Sequence, residues 1–263
     1  MNLLSLDKIS LSTVLLGVPI IILGWTVGSI INYLSDVLPV RRRLARPFCK
    51  NCGSDQSLLN FLIITHRCPT CGILRPWRTW IVDLATILST LWLWFIPQHI
   101  PSFLINIVLL LYFGMVVVID IEHRLILHHV SLVGVGIGIV IGFFLHGLAS
   151  TIIGGLVGFL GMLLLYYFGI LFSKGISRWR HEEIEEEALG FGDVNLSGVL
   201  GLILGWPGIT LGIIGAILIG GMISFLYLIY LVITRRYHSF TAFPYGPCLI
   251  ASAVILLYFR DIL

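Results

Sequence analysis

Apolar residues in this chain come in long blocks, divided by short polar or charged intervals, rather than at every second or every third to fourth position. Blocks of that length predict helices that cross a lipid bilayer, since a spanning helix needs about 20 mainly apolar residues. Eight spans are expected, approximately 11–34, 79–97, 102–120, 129–147, 150–173, 194–206, 208–233 and 243–259. The sixth is short and closes on "GWPG", where Pro207 argues for a break before the seventh. Merging those two would give seven. The block from Leu11 to Leu34 is too long for the apolar region of a signal peptide, and only Lys8 precedes it, so a retained span is expected. Glycines at every fourth position, Gly134, Gly138 and Gly142 in span four and Gly154 and Gly158 in span five, suit close helix packing in lipid.

Composition strengthens this picture. Of 263 residues, 58% are hydrophobic and 11% charged, with a mean hydropathy of +1.03; soluble domains carry about 25% charged residues. The expected class is all-α, a polytopic membrane protein of about eight transmembrane helices. Of the 16 Lys and Arg residues, all but Lys8 and Arg260 fall in the loops that follow odd-numbered spans. Positive loops stay in the cytoplasm, so both termini are expected outside. Seven spans would put Arg235 and Arg236 on the wrong side. The net charge of +3 then follows from topology and calls for no nucleic acid. Trp77, Trp80, Trp92, Trp94 and Trp206 near span ends fit an interfacial belt, and Arg41 to Arg46 fit an anchor on anionic headgroups.

The first polar loop holds "CKNC" (Cys49, Cys52) and "CPTC" (Cys68, Cys71), separated by fifteen residues. Two such pairs can place four thiolates tetrahedrally around one structural Zn2+, forming a small zinc-ribbon-like cytoplasmic loop. Four thiolates leave no open position for a reacting water, so this metal would order the loop rather than hydrolyse a bond. Two disulfides are disfavoured by a reducing cytoplasm. Cys248, in the last span, reads as packing.

Carboxylates in or against apolar segments are costly and tend to be functional. Asp83, Asp120, Glu122 and Asp193 are so placed. Asp120 ends span three and Asp193 opens span six within "GFGDVNL"; the topology puts both at the cytoplasmic face at similar depth. Each has a plain explanation, Asp120 as a partner of Arg124 and Asp193 as a helix N-cap. Together they suggest aspartyl protease chemistry, in which two close acids share a proton and act as general base and general acid. Gly190 and Gly192 would let a substrate backbone approach. The glutamates within 182–187 read as a solvated run or as an attraction for a basic substrate segment.

"GFGDVNL" resembles the GxGD motif of membrane aspartyl proteases, and "IDIEHRLIL" resembles the other active-site segment of the type IV prepilin peptidases. "GSIINYLSDVLP", the paired cysteines and "FPYGPCL" extend the resemblance along nearly the whole chain. The resemblance implies a bacterial inner-membrane, multi-pass enzyme that removes the leader of prepilins or pseudopilins at the cytoplasmic face. It implies Asp120 and Asp193 as the catalytic pair. It also implies a methylation step using S-adenosylmethionine, with Asn32 and the cysteines in the half linked to it. The corresponding organisation is a first helix over 1–34, a zinc loop over 35–78 and a peptidase domain over 79–263. Two departures stand out. Ile126, Leu127 and His128 replace a Leu-Pro-Asp run, and Asp83, in Arg78–Asp83, stands one methylene shorter than the family's glutamate. The rival readings are a leader peptidase without methylation, a transporter or channel using the aspartates as a relay, and a non-catalytic scaffold.

Overall fold

The structure, a computed structural model, describes residues 11–58, 61–62, 67–95, 100, 102–180, 190–234 and 244–259. The glutamates within 182–187, Arg235, Arg236, Arg260 and Lys8 lie outside the described residues. Eight helices are present among those described: α1 (Leu11–Arg41), α2 (Trp77–Phe95), α3 (Phe103–His123), α4 (His128–His146), α5 (Leu148–Arg180), α6 (Phe191–Leu204), α7 (Gly208–Ile233) and α8 (Gly246–Tyr258). The expected eight-helix, all-α plan holds. The first helix runs well past its expected end at 34. Asp36 does not stop it because the carboxylate is neutralised inside the fold, by Arg78 at 2.8 Å and Lys50 at 2.9 Å.

Five helices are long and apolar enough to cross a membrane, namely Gly17–Arg41, Phe103–His123, His128–His146, Leu148–Phe172 and Gly208–Leu231. With 14 residues, α6 rises only about 21 Å, short of a hydrocarbon core of about 30 Å. Its surroundings explain how it persists. Val194, Leu196, Val199 and Ile203 have no exposed surface, so protein rather than lipid surrounds this helix. The glycine spacing is used here as expected. A Cβ on Gly154 of α5 would collide with the Gly201 carbonyl of α6, and one on Gly138 of α4 would stand 2.9 Å from Leu202 Cβ. The Ser197 hydroxyl donates to the Gly158 carbonyl at 3.0 Å, tying α6 to α5 at that close approach.

The chain divides into two compact units, residues 1–115 and 116–263, so the division falls within α3. In the first unit α1 packs on α2 at glycine distance: a Cβ on Gly28 would stand 2.7 Å from Asp83 Oδ1. The second unit gathers the end of α3 with α4 to α8.

Candidate active site and metal centre

Asp120 sits in the last turn of α3 and Asp193 in the first turn of α6, both buried, at 5% and 7% exposure. Backbone N–H groups hold them. Gly246, at the start of α8, donates to Asp120 Oδ2 at 3.1 Å, and Gly190 donates to Asp193 Oδ2 at 3.3 Å. For the other oxygen of each, Oδ1, no hydrogen-bond partner is found among the described residues. Asp120 lies close enough for its charge to act directly on Asp193, and both charges reach Cys248 of α8.

Of the plain explanations for the two acids, the ion pair of Asp120 fails and the helix cap of Asp193 holds in altered form. Asp120 makes no ion pair with Arg124 among the described residues; Arg124 turns out of the helix at φ 49° and gives only its N–H to the Asp120 carbonyl, at 2.8 Å. The N-cap of α6 is Gly190, and Asp193, at the third helical position, accepts the Gly190 N–H as the N3 residue of a capping box. The two flanking glycines part company. Gly190 is exposed, and a Cβ there would stand 3.6 Å from Asp193 Oδ2, an ordinary contact, whereas the space over Gly192 is filled by the chain itself: a Cβ there would stand 2.7 Å from Ile126 Cβ. Gly192 therefore lets the 125–127 segment close on the start of α6.

Asn32 and Asp83, far apart in sequence, meet in the first unit. Asn32, 1% exposed, donates through Nδ2 to Asp83 Oδ1 at 3.0 Å and to the Thr79 carbonyl at 3.3 Å. Asp83 Oδ2, Asn32 Oδ1 and Ser35 Oγ are buried without partners. With Gly28 pressed against the pair, a group the size of S-adenosylmethionine does not fit between them. Their hydrogen bond links α1 to α2.

The four cysteine sulfurs converge within 4.8 Å of one another. Cys49 to Cys71 and Cys52 to Cys68 are both 3.7 Å apart. A tetrahedron with Zn–S bonds near 2.3 Å requires sulfur separations of about 3.8 Å, so the set fits zinc. The two knuckles are built alike. Gly53 and Gly72 take φ of 71° and 70°, a left-handed turn that glycine adopts at little cost. Their N–H groups donate to the Cys49 and Cys68 carbonyls, both at 2.9 Å. Backbone N–H groups of Cys71 and Thr70 pull the Cys68 thiol down to about 5. Cys71 accepts the Ile73 N–H, yet burial and the neighbouring sulfurs push it up to about 11. A dication would remove that conflict by favouring four thiolates together.

Sequence reasoning missed three contributors. Gly246 supplies the amide that orients Asp120; its "YGPC" context, with Pro247 in the first turn of α8, was a visible helix-start signal. Asp36 takes Arg78 and Lys50. Arg75 lies over the Phe61 ring at 3.5 Å.

Fold and site together define a polytopic α-helical membrane protein with a four-thiol metal centre in one unit and a buried carboxylate pair in the other. Residues 104–225, which include both aspartates, match the type IV leader peptidase family. A prepilin leader peptidase/N-methyltransferase of Myxococcus xanthus (strain DK1622) is 27% identical over 233 residues, covering 82% of this chain and 64% of the relative. Those of Aeromonas salmonicida (strain A449) and Aeromonas hydrophila are 28% and 29% identical over 115 residues, covering 43% of this chain and 34% of theirs. The chain thus spans less than two thirds of the length of these relatives. No solved structure matches it. The likeness read from the motifs recurs here, and the matched segment is the one that holds the acid pair.

Proposed function

We propose that the chain is a membrane aspartyl endopeptidase that removes the leader peptide of prepilins or pseudopilins at the cytoplasmic face of the bacterial inner membrane. The carrying observation is the acid pair: Asp120 and Asp193, remote in sequence, are buried in one unit within electrostatic reach, each fixed by one backbone N–H and each with one oxygen unclaimed. Two close acids hold one proton between them. The ionised member takes a proton from water as that water attacks the scissile carbonyl. The protonated member gives its proton to the carbonyl oxygen and, after collapse, the leaving amine takes one up. Gly190, exposed beside Asp193, leaves room for the substrate backbone, and the substrate's apolar helix would enter from the lipid.

A cation or proton relay is the competing reading from another class. It is disfavoured by the position of both acids at helix ends, in the last turn of α3 and the first turn of α6, where a relay calls for carboxylates near the bilayer centre. The test is to co-express the chain with a prepilin and measure the intact mass of the product's N-terminal fragment. A cut immediately before the apolar segment supports the proposal, and unprocessed substrate contradicts it. The same spectrum reports methylation: a further 14 mass units, about one CH2, on the new amine would mark a bifunctional enzyme like the named relatives, and its absence a peptidase alone.

A further inference from the structure

The first unit contains a cavity of about 260 Å³ where the end of α1, the cysteine knuckles and the start of α2 meet. We propose that this cavity binds an oxyanion, with the phosphate of an anionic lipid headgroup as the source its position favours.

Its walls are built for such a group. Gln56 lines the cavity with only 8% exposure, and its side-chain amide has no partner among the described residues. Its amide group can donate to an oxygen of a group bound in the cavity. Arg75, half-buried, also lines it. Its guanidinium stacks on Phe61 and gives one hydrogen bond to the Phe61 carbonyl, at 3.0 Å, and it has no carboxylate partner among the described residues. A planar fork fixed in that way leaves donors suited to a phosphate or carboxylate. Pro76, next in the wall, precedes the first turn of α2, whose positive dipole end also favours an anion. Asp36 is the lone carboxylate in the lining, and Lys50 and Arg78 already bridge it.

The lipid source follows from what surrounds the mouth. Trp77 and Trp80, in the first turn of α2, are 79% and 51% exposed. Tryptophans so placed sit at headgroup depth, which brings the cavity to the level of lipid phosphates. Desolvation lowers the affinity of the Arg75 guanidinium for its proton, and a bound anion would offset that cost.

A competing account makes Arg75 a counter-charge to metal-bound thiolates, since Cys49 and Cys68 share the cavity wall. Native mass spectrometry on the full-length, zinc-loaded protein separates the two, with phosphatidylglycerol and phosphatidylcholine as probes and inorganic phosphate added in a parallel thermal-shift series. The wild type is expected to retain phosphatidylglycerol over phosphatidylcholine, and Gln56→Leu and Arg75→Gln each to weaken that retention about tenfold, with zinc content unchanged. Stabilisation by inorganic phosphate that both variants lose, without lipid preference, would support the site with a soluble oxyanion as its source. Equal binding by wild type and variants would overturn the proposal. So would loss of zinc from Arg75→Gln while Gln56→Leu binds normally. Should Arg75→Gln misfold, Arg75→Lys keeps the charge without the fork and is expected to bind with intermediate strength; wild-type binding by it and by Gln56→Leu would equally refute the site.

Discussion

The first unit buries one carboxylate between helices and the second buries two, and they are held in different ways. Asp83 is clamped through Oδ1 by a side chain, Asn32, beside Gly28 of α1, and its second oxygen is buried without a partner among the described residues. Asp120 and Asp193 are each held by a single backbone N–H, with no side-chain donor among the described residues. A sealed acid can only fix structure. An acid oriented from behind by an amide, with a free oxygen in front, can exchange a proton with water and substrate. Depth of burial does not separate the two regions, since all three are within 5–7% exposure. The identity of the holding group does.

That contrast can be broken by exchanging which property each acid controls. Asp193→Asn is expected to lower the cleavage rate by about 10²–10⁴-fold, the range of general acid–base catalysis, with little change in melting temperature. Removing the metal should act the other way round. Cys68→Ser or chelation is expected to release about one zinc per chain by elemental analysis and to unfold the knuckles, because a structural zinc supplies much of the folding energy of such loops. Cleavage by the second unit should persist in the fraction that stays membrane-inserted. Asn32→Leu leaves Asp83 without its side-chain donor and is expected to cost about 1.5–3 kcal/mol of first-unit stability, read as a lowered denaturation midpoint with an unaltered rate per folded molecule. The smallest effect belongs to Ser197→Ala. Loss of its bond to the Gly158 carbonyl should cost about 1 kcal/mol, a shift of a few degrees in melting temperature at most.

Much of this architecture was legible because it rests on spacing. Apolar blocks announced the helices, CxxC pairs announced a four-sulfur centre, and glycines four residues apart announced the face on which α4 and α5 receive α6. What was not legible depends on partners remote in sequence. The first helix was expected to stop before Asp36, since an unpaired charge ends an apolar helix; its cancellation by Lys50 and Arg78 shows only in three dimensions. The short α6 looked like an uncertain span because a membrane segment is judged by length, while this one is surrounded by protein. Gly192 was assigned to substrate approach, and the occupant of that space is Ile126. "YGPC" marked the start of α8, but that its Gly246 amide meets Asp120, 126 residues away, shows only in three dimensions.

The claim beneath the rest is that Asp120 and Asp193 work as one unit. The most direct test is the cleavage rate of a purified prepilin by Asp120→Asn, Asp193→Asn and the double variant, each reconstituted in lipid at equal folded amounts. Residues that act together lose activity non-additively, so each single variant should fall to the low residual rate and the double variant no further. A single variant that cleaves at the wild-type rate, or losses that multiply in the double variant, would contradict it.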